Sequence, residues 1–330
     1  MKVLVAGGAG YIGSHTVKRL LDAGHTPVIY DNGERGHKEV ASILKVPAVW
    51  GELDDAATFK KALTDNQIDT VMYFAAYAYV GESVDKPLMY YRNNVATTVG
   101  ALDAMREAGV ERFVFSSTCA TYGNPDVVPI TEEESKKPVS PYGRSKWMVE
   151  QILQDLAAAD KSFKFAALRY FNASGCALDG LIGEDHDPET HLIPVVLQSV
   201  LGLKDKITVF GTDYPTPDGT NVRDYIHVED LADAHILAMQ KLDQHQTIQC
   251  NLGTGTGFSV KQIIAAAEKI TGRKVPVEYG PRRGGDAIAL WANPQKAKDL
   301  LGWEPKHKDP EAIIASAWKW FQAHPNGYAK

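Results

Sequence analysis

Residues 2–13 read KVLVAGGAGYIG, and this stretch is the strongest indication of the fold of the whole chain. Its apolar run at 3–6 is typical of a strand that is buried on both faces. Glycines follow at 7, 8, 10 and 13, and a helical pattern then continues to Gly24, where a helix would end. A strand, a glycine-rich turn and a helix predict a phosphate-binding turn, because the free N–H groups of a helix N-terminus attract anions.

A carboxylate at the expected distance completes this pattern. The apolar run at 27–30 ends in Asp31, about 20 residues after the turn, where an acid would bind the hydroxyls of a ribose. The same carboxylate would repel a 2′-phosphate, so these residues predict NAD as the cofactor. Arg35 keeps NADP as an alternative, and a glycine turn that binds no ligand is a second alternative.

The composition of the 330 residues is that of an ordinary globular protein, with 44% hydrophobic and 23% charged residues. A formal net charge of -6 argues against nucleic acid or an anionic membrane as a partner. No signal-peptide pattern and no bilayer-spanning apolar stretch are present, so we expect a cytoplasmic protein. The three cysteines and ten histidines lack ligand spacing, so the sequence predicts no disulfide framework and no metal site.

Strands and helices alternate as far as residue 172. This alternation predicts an α/β protein with a Rossmann-like, doubly wound parallel sheet, whose ligands bind at the carboxyl ends of the strands. Ser140 followed by Pro141 is a favourable start for one of the helices. The other elements predicted in this part are strands at 46–50, 68–76, 112–117 and 163–170, and helices at about 55–63 and 89–108.

After residue 172 the pattern becomes irregular, with loop-like stretches at 175–189 and 213–219. The remaining elements predict a smaller, mixed α/β C-terminal domain that covers the carboxyl edge of the sheet and binds the substrate. A helix near 230–242 and a strand at 247–252 are expected to return to the first domain. The predicted domains are 1–175 with about 226–256, and about 176–225 with 257–330.

A tyrosine and a lysine lie one helical turn apart at the start of the helix after Ser140. Tyr142 and Lys146 would share one face of that helix. A phenol titrates near pH ~10, and a neighbouring ammonium and a cationic nicotinamide ring would both lower its pKa toward that of a useful base. Thr118 ends the preceding strand and could donate a hydrogen bond to a substrate oxygen. The alternatives are an exposed helix pair and, for Thr118, a cap at the strand end.

Several longer motifs together resemble the extended short-chain dehydrogenase/reductase family and, within it, the UDP-hexose 4-epimerases. The resemblance extends from the first strand to the tail. The motifs are GGAGYIGSH (7–15), SSTCATYG (116–123), SPYGRSKWMVE (140–150), LRYFNASG (168–175), DYPTPDGTNVRDYIHVEDLA (213–232), PRRGGD (281–286) and LGWEP (301–305).

The resemblance implies a 4-epimerase that interconverts UDP-galactose and UDP-glucose through a transient 4-keto sugar, with tightly bound NAD. It implies Tyr142 as the catalytic base, Lys146 as its partner and Thr118 as the accompanying hydroxyl. The cofactor-binding residues it implies are Gly7, Gly10, Tyr11, Ile12, Gly13, Asp31, Asn32, Glu52, Leu53, Phe74, Ala75, Asn94, Lys146 and Tyr170. The substrate-binding residues it implies are Thr118, Tyr142, Asn172, His191, Leu192, Phe210, Arg223, Arg283, Asp286 and Leu290.

Four positions depart from the pattern of the family or vary within it. Glu52 stands where an aspartate is usual, and Ala78 replaces a lysine of many members, so the affinity for NAD is expected to differ. His191 stands where some members have asparagine. Leu290 falls at the gatekeeper position of the sugar pocket and is smaller than an aromatic residue, which extends the hypothesis to UDP-GalNAc and UDP-GlcNAc.

Three other functions are weighed against this one. A dehydratase would need an acid and a base beside Thr118, but Cys119 and Ala120 follow it. A net dehydrogenase would need an exchangeable cofactor, which the sequence does not exclude. A binding protein that senses NAD would have no use for the set of Thr118, Tyr142 and Lys146. The family also implies a homodimer, paired through the helices near 89–108 and 141–158.

Overall fold

A computed structural model describes residues 1–283 and 286–328. The strands in these ranges are β1 (Lys2–Ala6), β2 (Thr26–Asp31), β3 (Ala48–Trp50), β4 (Thr70–Tyr73), β5 (Arg112–Thr118), β6 (Lys164–Tyr170), β7 (Asn172–Ser174), β8 (Ile207–Phe210), β9 (Val222–Arg223), β10 (Tyr225–His227), β11 (Thr247–Leu252), β12 (Phe258–Ser259), β13 (Val277–Gly280) and β14 (Ala289–Leu290).

The α-helices in the same ranges alternate with these strands. They are α1 (Tyr11–Asp22), α2 (Glu39–Leu44), α3 (Ala56–Asp65), α4 (Val80–Asp85), α5 (Pro87–Tyr91), α6 (Thr97–Glu107), α7 (Pro141–Ala159), α8 (Leu192–Val200), α9 (Val228–Lys241), α10 (Val260–Thr271), α11 (Gln295–Leu301) and α12 (Pro310–Ala323).

Seven strands form one parallel sheet in the order β11-β6-β5-β4-β1-β2-β3. Strand β1 lies between β2 and β4, so the chain order reverses at the glycine turn that follows it. In parallel α/β sheets this reversal opens a crevice at the carboxyl ends of the strands. The predicted doubly wound, Rossmann-like α/β fold is therefore confirmed.

Successive side chains of β1 point to opposite faces of the sheet and pack into two different core layers. Val3 and Val5 pack on one face of the sheet, with Leu20 of α1. Leu4 and Ala6 belong to the layer on the other face, which includes side chains of α3, α6 and α7. Because both faces of the strand are covered, its residues 3–6 are all apolar, as in other parallel sheets.

The predicted long helix at 89–108 is interrupted. It divides into α5, a π-helical turn at Arg92–Ala96 and α6. The wide turn contains Asn94, whose buried amide bonds to both backbone groups of Tyr77 and to the Ser145 hydroxyl. Helical periodicity alone could not predict the interruption, because these partners come from distant parts of the chain.

The remaining strands form three small sheets: β7 with β10, β8 with β13, and β12-β9-β14. This region meets the main sheet at the carboxyl ends of its strands, where the hydroxyl of Tyr11 donates to the carbonyl of Gly175 at 2.5 Å. Strand β11 lies at the edge of the large sheet beside β6. Within residues 1–283 and 286–328, the helices are too short or too polar to cross a membrane.

Candidate active site at the carboxyl edge of the sheet

The glycine turn after β1 has a backbone that side chains would obstruct. Gly7 has a φ of +77°, and a Cβ there would lie 2.6 Å from the amide nitrogen of Ala75. A Cβ on Gly13 would lie only 2.1 Å from the carbonyl oxygen of Gly7. These contacts hold the first turn of α1 against the strand end, and Gly10 caps the helix without a side-chain hydrogen bond. The first amide groups of α1 are therefore available to an anion.

Asp31 closes the other side of this turn. One oxygen of its carboxylate accepts the amide hydrogen of Ala9 at 3.0 Å, and the other accepts that of Gly33 at 2.8 Å. Burial raises the pKa of Asp31, and the backbone hydrogen bonds oppose this shift. The acid at the end of β2 is thus fixed beside the glycine turn, in the position that ribose hydroxyls require.

A cavity of about 170 Å³ opens between the glycine turn and the ends of β2 and β4. Eight of the predicted cofactor-binding residues line it, namely Gly7, Gly10, Asp31, Asn32, Glu52, Leu53, Phe74 and Ala75. Glu52 accepts a hydrogen bond from the amide of Asn32 at 3.0 Å, so the longer acid stays at the rim of the cavity. Ala78 is exposed. The glycine cradle, the free helix N-terminus and Asp31 fit a dinucleotide.

Arg35 also lines the cavity, but its guanidinium is engaged by other side chains. Its guanidinium pairs with Glu82 at 2.9 Å and lies over the rings of Tyr77 and Tyr79, at 4.4 and 5.1 Å from their centroids. Glu34 also lines the cavity and accepts a hydrogen bond from Tyr77. Because Arg35 is paired with Glu82, and because Asp31 and Glu34 place two carboxylates at this edge, the site favours NAD over NADP.

Thr118 ends β5 at the same edge of the sheet. Its hydroxyl oxygen accepts the amide hydrogen of Ala120 at 3.2 Å and so caps the short 3₁₀ turn that follows the strand. The hydroxyl hydrogen remains able to donate, so the capping and catalytic interpretations of Thr118 are compatible.

Ser140 caps α7 as predicted, accepting the amide hydrogen of Gly143 at 3.1 Å, and Pro141 begins the helix. This start places Tyr142 next to Thr118. Burial raises the pKa of Tyr142 to about 12, and the nearby hydroxyl of Thr118 opposes the shift. In the protein alone burial outweighs what the neighbouring groups contribute, and the lowering expected from Lys146 together with a cationic nicotinamide ring stays a prediction for the cofactor-bound site.

Lys146 lies under the site with 2% of its surface exposed. Its ammonium nitrogen donates to the carbonyl oxygen of Ser116 at 2.7 Å and lies 4.7 Å from the ring centroid of Phe115. Burial lowers the pKa of Lys146 to about 7, while the charge of Glu150 acts in the opposite direction. A buried lysine that titrates near neutrality is typical of a functional site.

A buried polar network supports this edge from below. Arg169 of β6 forms an ion pair with Glu150 of α7, both almost fully buried, and Ser117 donates to the same carboxylate. Tyr170 and Ser116 share a hydrogen bond one residue from this network. The network joins β6 to β5 and α7, the two elements that carry the candidate catalytic side chains. The sequence indicated neither the pair nor its position.

A second group of predicted residues meets above the sheet. Arg223 on β9 donates to the carbonyl oxygens of Val222 and Ala287, and its guanidinium lies 3.9 Å from the Asp286 carboxylate. Leu290 on β14 pairs in register with Arg223 and is half-buried.

Arg283 and Phe210 belong to the same group. The guanidinium carbon of Arg283 lies 3.8 Å from the ring centroid of Phe210, at the end of β8. The tertiary structure thus brings together two arginines, an acid and an aromatic ring, a set suited to a diphosphate and a nucleoside.

His191 and Leu192 begin α8, where His191 is the N-cap residue. The Nδ1 atom of His191 lies 2.8 Å from Glu189. The carboxylates of Glu184 and Glu189 also flank His186; burial opposes its charge, but these acids outweigh burial and raise its pKa to about 10. Sequence reasoning placed His191 at the substrate but missed this cluster, because no spacing rule predicted it.

Several predicted residues lie beside the cavity rather than in its wall. Asn94 is committed to Tyr77 and Ser145, and its neighbours Asn93 and Thr97 line the cavity instead. The contribution of Tyr11 and Ile12 is the amide groups of the first turn of α1. Asn172 on β7 donates its amide hydrogen to the carbonyl oxygen of Asp224.

The fold and these side chains together define a class, the extended short-chain dehydrogenase/reductase type of enzyme. Within it, the chain belongs to the NAD dependent epimerase/dehydratase family, since the sequence model of that family matches residues 3–253. The cofactor of this family is NAD, in agreement with Asp31 and the glycine cradle.

The chain is similar to proteins of this family along its whole length. It is 50% identical to the UDP-glucose 4-epimerase of Lactobacillus helveticus, with 99% of each chain covered. The crystal structure of UDP-glucose 4-epimerase from Bifidobacterium longum in complex with NAD+ and UDP is 40% identical, with a TM-score of 0.95 and coverage of 99% and 100%. The UDP-Glc/GlcNAc 4-epimerase of Campylobacter jejuni is 39% identical, with a TM-score of 0.85 and coverage of 98% and 99%.

Proposed function

We propose that this protein is an isomerase that interconverts UDP-galactose and UDP-glucose by inverting carbon 4 of the sugar. The observation that carries the proposal is the juxtaposition of Thr118, Tyr142 and Lys146 at the sheet edge that also holds the dinucleotide cradle. The similarity to UDP-glucose 4-epimerases supports it over the full chain.

NAD held by the glycine turn and Asp31 would supply the acceptor, and then the donor, of the hydride on carbon 4. Tyr142 accepts the proton of the sugar 4-hydroxyl and returns it to the 4-oxygen. Thr118 donates a hydrogen bond to that oxygen and holds it beside the phenol. Since burial alone raises the pKa of Tyr142, the phenolate requires the positive charges of the cofactor ring and of Lys146.

The second group of residues holds the substrate while the sugar turns over. Arg223 and Arg283 bind the diphosphate, and Asp286 accepts the hydroxyl hydrogens of the uridine ribose. Phe210 provides a flat apolar surface on the nucleoside side. Because these groups bind the nucleotide and not the hexose, the transient 4-keto sugar can present its other face without leaving the site.

The dehydratase alternative is less consistent with the site. Cys119 and Ala120 follow Thr118 in the 3₁₀ turn, and burial raises the pKa of the Cys119 thiol to about 12, so that it stays protonated. The general acid and base that removal of water requires are absent at these two positions. Inversion without net loss of water therefore remains the proposed reaction.

A proton NMR time course with UDP-galactose and purified protein, without added NAD, tests the proposal. The expected result is growth of the UDP-glucose anomeric signal, with the NAD supplied by the protein itself. If the reaction starts only after NAD is added, the proposed activity stands, and weak binding of NAD is assigned to the part of the site near Glu52 and Ala78. Failure with NAD present would overturn the UDP-galactose assignment.

The gatekeeper position supports a wider choice of sugar. Leu290 is half-buried beside Arg223 and is shorter than an aromatic side chain. We expect turnover of UDP-GlcNAc to UDP-GalNAc by the wild-type protein and its loss in Leu290→Tyr, while UDP-galactose turnover survives. Absence of any reaction with UDP-GlcNAc in the wild type would contradict this extension.

The proposed assembly is a homodimer that pairs through α4–α7. Several large apolar side chains on these helices face solvent, among them Leu88 at 75% exposure, Val84, Val99 and Met148. Light scattering should report twice the chain mass for the wild type and a shift toward the monomer for Leu88→Glu. A wild-type monomer would rule out the dimer.

The division into an NAD-binding and a UDP-hexose-binding domain is also part of the proposal, as is the cytoplasmic location.

A further inference from the structure

Four side chains that are suited to metal binding meet in the loop before α8. Glu184, His186, Glu189 and His191 follow the pattern Glu-x-His-x-x-Glu-x-His. One ligand atom from each lies within 4.8 Å of the other three. The set is separate from Thr118, Tyr142 and Lys146, the three side chains to which the proposed chemistry at carbon 4 is assigned.

Three of the four nitrogen–oxygen separations in the cluster are close to the edge of a coordination tetrahedron, whereas the fourth, between His191 and Glu189, has the length of a hydrogen bond. The two histidines approach different oxygens of Glu189. The Nδ1 atom of His186 lies 3.4 Å from Glu184 and 3.3 Å from Glu189. The Nδ1 atom of His191 lies 3.5 Å and 2.8 Å from the same two carboxylates. Metal–ligand bonds of about 2.0–2.1 Å place tetrahedral ligand atoms about 3.3 Å apart.

An unsatisfied acceptor within the cluster points independently to a ligand. Glu184 is 2% exposed, and among residues 1–283 and 286–328 no donor forms a hydrogen bond with its Oε1 atom. The two imidazole nitrogens are near this oxygen, but at 3.4 and 3.5 Å they are beyond a good hydrogen-bond length. A buried carboxylate oxygen of this kind is costly unless a cation or a donor meets it.

We propose that Glu184, His186, Glu189 and His191 bind one divalent zinc-like cation in a closed, structural site. Two imidazoles and two carboxylates supply the nitrogen and oxygen ligands that Zn²⁺ takes, and the acids balance its charge. Four protein ligands leave no open position, so the ion organises the loop and takes no part in the chemistry.

The site would link two parts of the active centre. The ring of His186 packs edge-to-face against Tyr11, the first residue of α1, with centroids 5.7 Å apart. Ligation of His191 through Nδ1 fixes its proton on Nε2, the tautomer that can donate to a phosphate oxygen. The ion would therefore hold the loop against the glycine turn and preset His191 as a donor.

Metal analysis of the purified protein tests the inference and does not depend on the epimerase assignment. After dialysis against buffer containing a trace of Zn²⁺, we expect about one ion per chain by inductively coupled plasma mass spectrometry. Protein stripped with a chelator and reloaded with Co²⁺ should show the intense visible bands of a tetrahedral site. Wild-type protein that remains metal-free, or binds Co²⁺ without these bands, would overturn the proposal.

Two variants and a control make the assignment specific to these residues. His186→Gln and Glu189→Gln preserve side-chain size and should each lose the stoichiometric ion and the Co²⁺ spectrum. His245→Gln, which removes a histidine outside the cluster, should retain both. Chelator should lower the melting temperature of the wild type but not of folded His186→Gln. Full metal content in both cluster variants would overturn the ligand assignment.

Discussion

Tyr142 is half-buried, and desolvation raises the pKa of its phenol to about 12 in the protein alone, so its use as a base depends on the bound cofactor. We expect Tyr142→Phe to lower kcat for UDP-galactose by about 10²- to 10⁴-fold, the usual contribution of an acid–base group. Titration calorimetry should show nearly unchanged binding of UDP. Tyr279→Phe, on an exposed residue of β13, serves as the control. Turnover of Tyr142→Phe near the wild-type rate would contradict the assigned role.

The hydroxyl of Thr118 caps a turn, and in the proposed reaction it also donates a hydrogen bond to the substrate. Thr118→Val removes the donor, and we expect kcat to fall by about 10- to 100-fold, the effect of one hydrogen bond to the reacting oxygen. Thr118→Ser keeps the hydroxyl and should recover most of the rate. Steady-state kinetics on both variants checks this, and equal losses in the two would assign Thr118 a packing role instead.

In the turn between β1 and α1, the close approach of the backbones at Gly7 and Gly13 fixes the position of α1. A Cβ on Gly13 would meet the Gly7 carbonyl at 2.1 Å, so α1 would have to move away from the strand. We expect Gly13→Ala to lower the free energy of unfolding by about 1–3 kcal/mol and to release NAD. Urea denaturation and the NAD content after gel filtration are the measurements.

Gly81 in α4 is the matched control, since a Cβ there meets nothing within 4 Å. Gly81→Ala should raise the free energy of unfolding slightly, by about 0.5–1 kcal/mol, through helix propensity. If the two alanine variants had the same stability, the close approach at Gly13 would not be a constraint.

The ion pair between Glu150 and Arg169 joins α7 to β6 in the interior. Glu150→Gln leaves a buried guanidinium without its counter-charge, so we expect a loss of about 3–5 kcal/mol in the free energy of unfolding. Glu107→Gln breaks the exposed pair with Lys60 and should cost less than about 1 kcal/mol. Chemical denaturation of the two variants gives the comparison, and a small effect of Glu150→Gln would contradict the proposed support of the site.

Three histidines lie in the interior of the fold, and burial lowers their pKa values: that of His15 to about 4, that of His227 to about 3 and that of His235 to about 4. In the unfolded chain a histidine titrates near pH ~6.5. The unfolded state therefore binds protons first as the pH falls. The stability from the neutral imidazoles is fully present above about pH 6.5 and is lost as the pH falls toward about 4, by about 1.4 kcal/mol per pH unit and residue.

Urea denaturation at several pH values between 7 and 5 measures this dependence. The free energy of unfolding should fall on acidification, and His235→Gln should fall less steeply, by the contribution of one proton. His245→Gln should keep the slope of the wild type. Identical slopes for wild type and His235→Gln would show that His235 is not held neutral by the fold.

Local patterns in the sequence were sufficient for the fold class and the cofactor. The apolar run at 3–6, the glycines after it and Asp31 predicted a Rossmann-like sheet and NAD, and both are confirmed. Ser140 and Pro141 predicted the start of α7, which they do begin. These features could be read directly because each depends on hydrogen bonds or steric limits among residues close in the chain.

Long-range contacts decided the rest. The interruption of the helix at 92–96, the pair of Glu150 with Arg169 and the position of Arg35 beside Glu82 each join segments that are distant in sequence. The raised pKa of Tyr142 also depends on the surrounding burial. The sequence alone thus determined the sheet, the glycine cradle and the residue types of the site, since local periodicity and backbone sterics encode them. Only the tertiary structure decided which charges meet and which are desolvated, because packing between remote segments controls both.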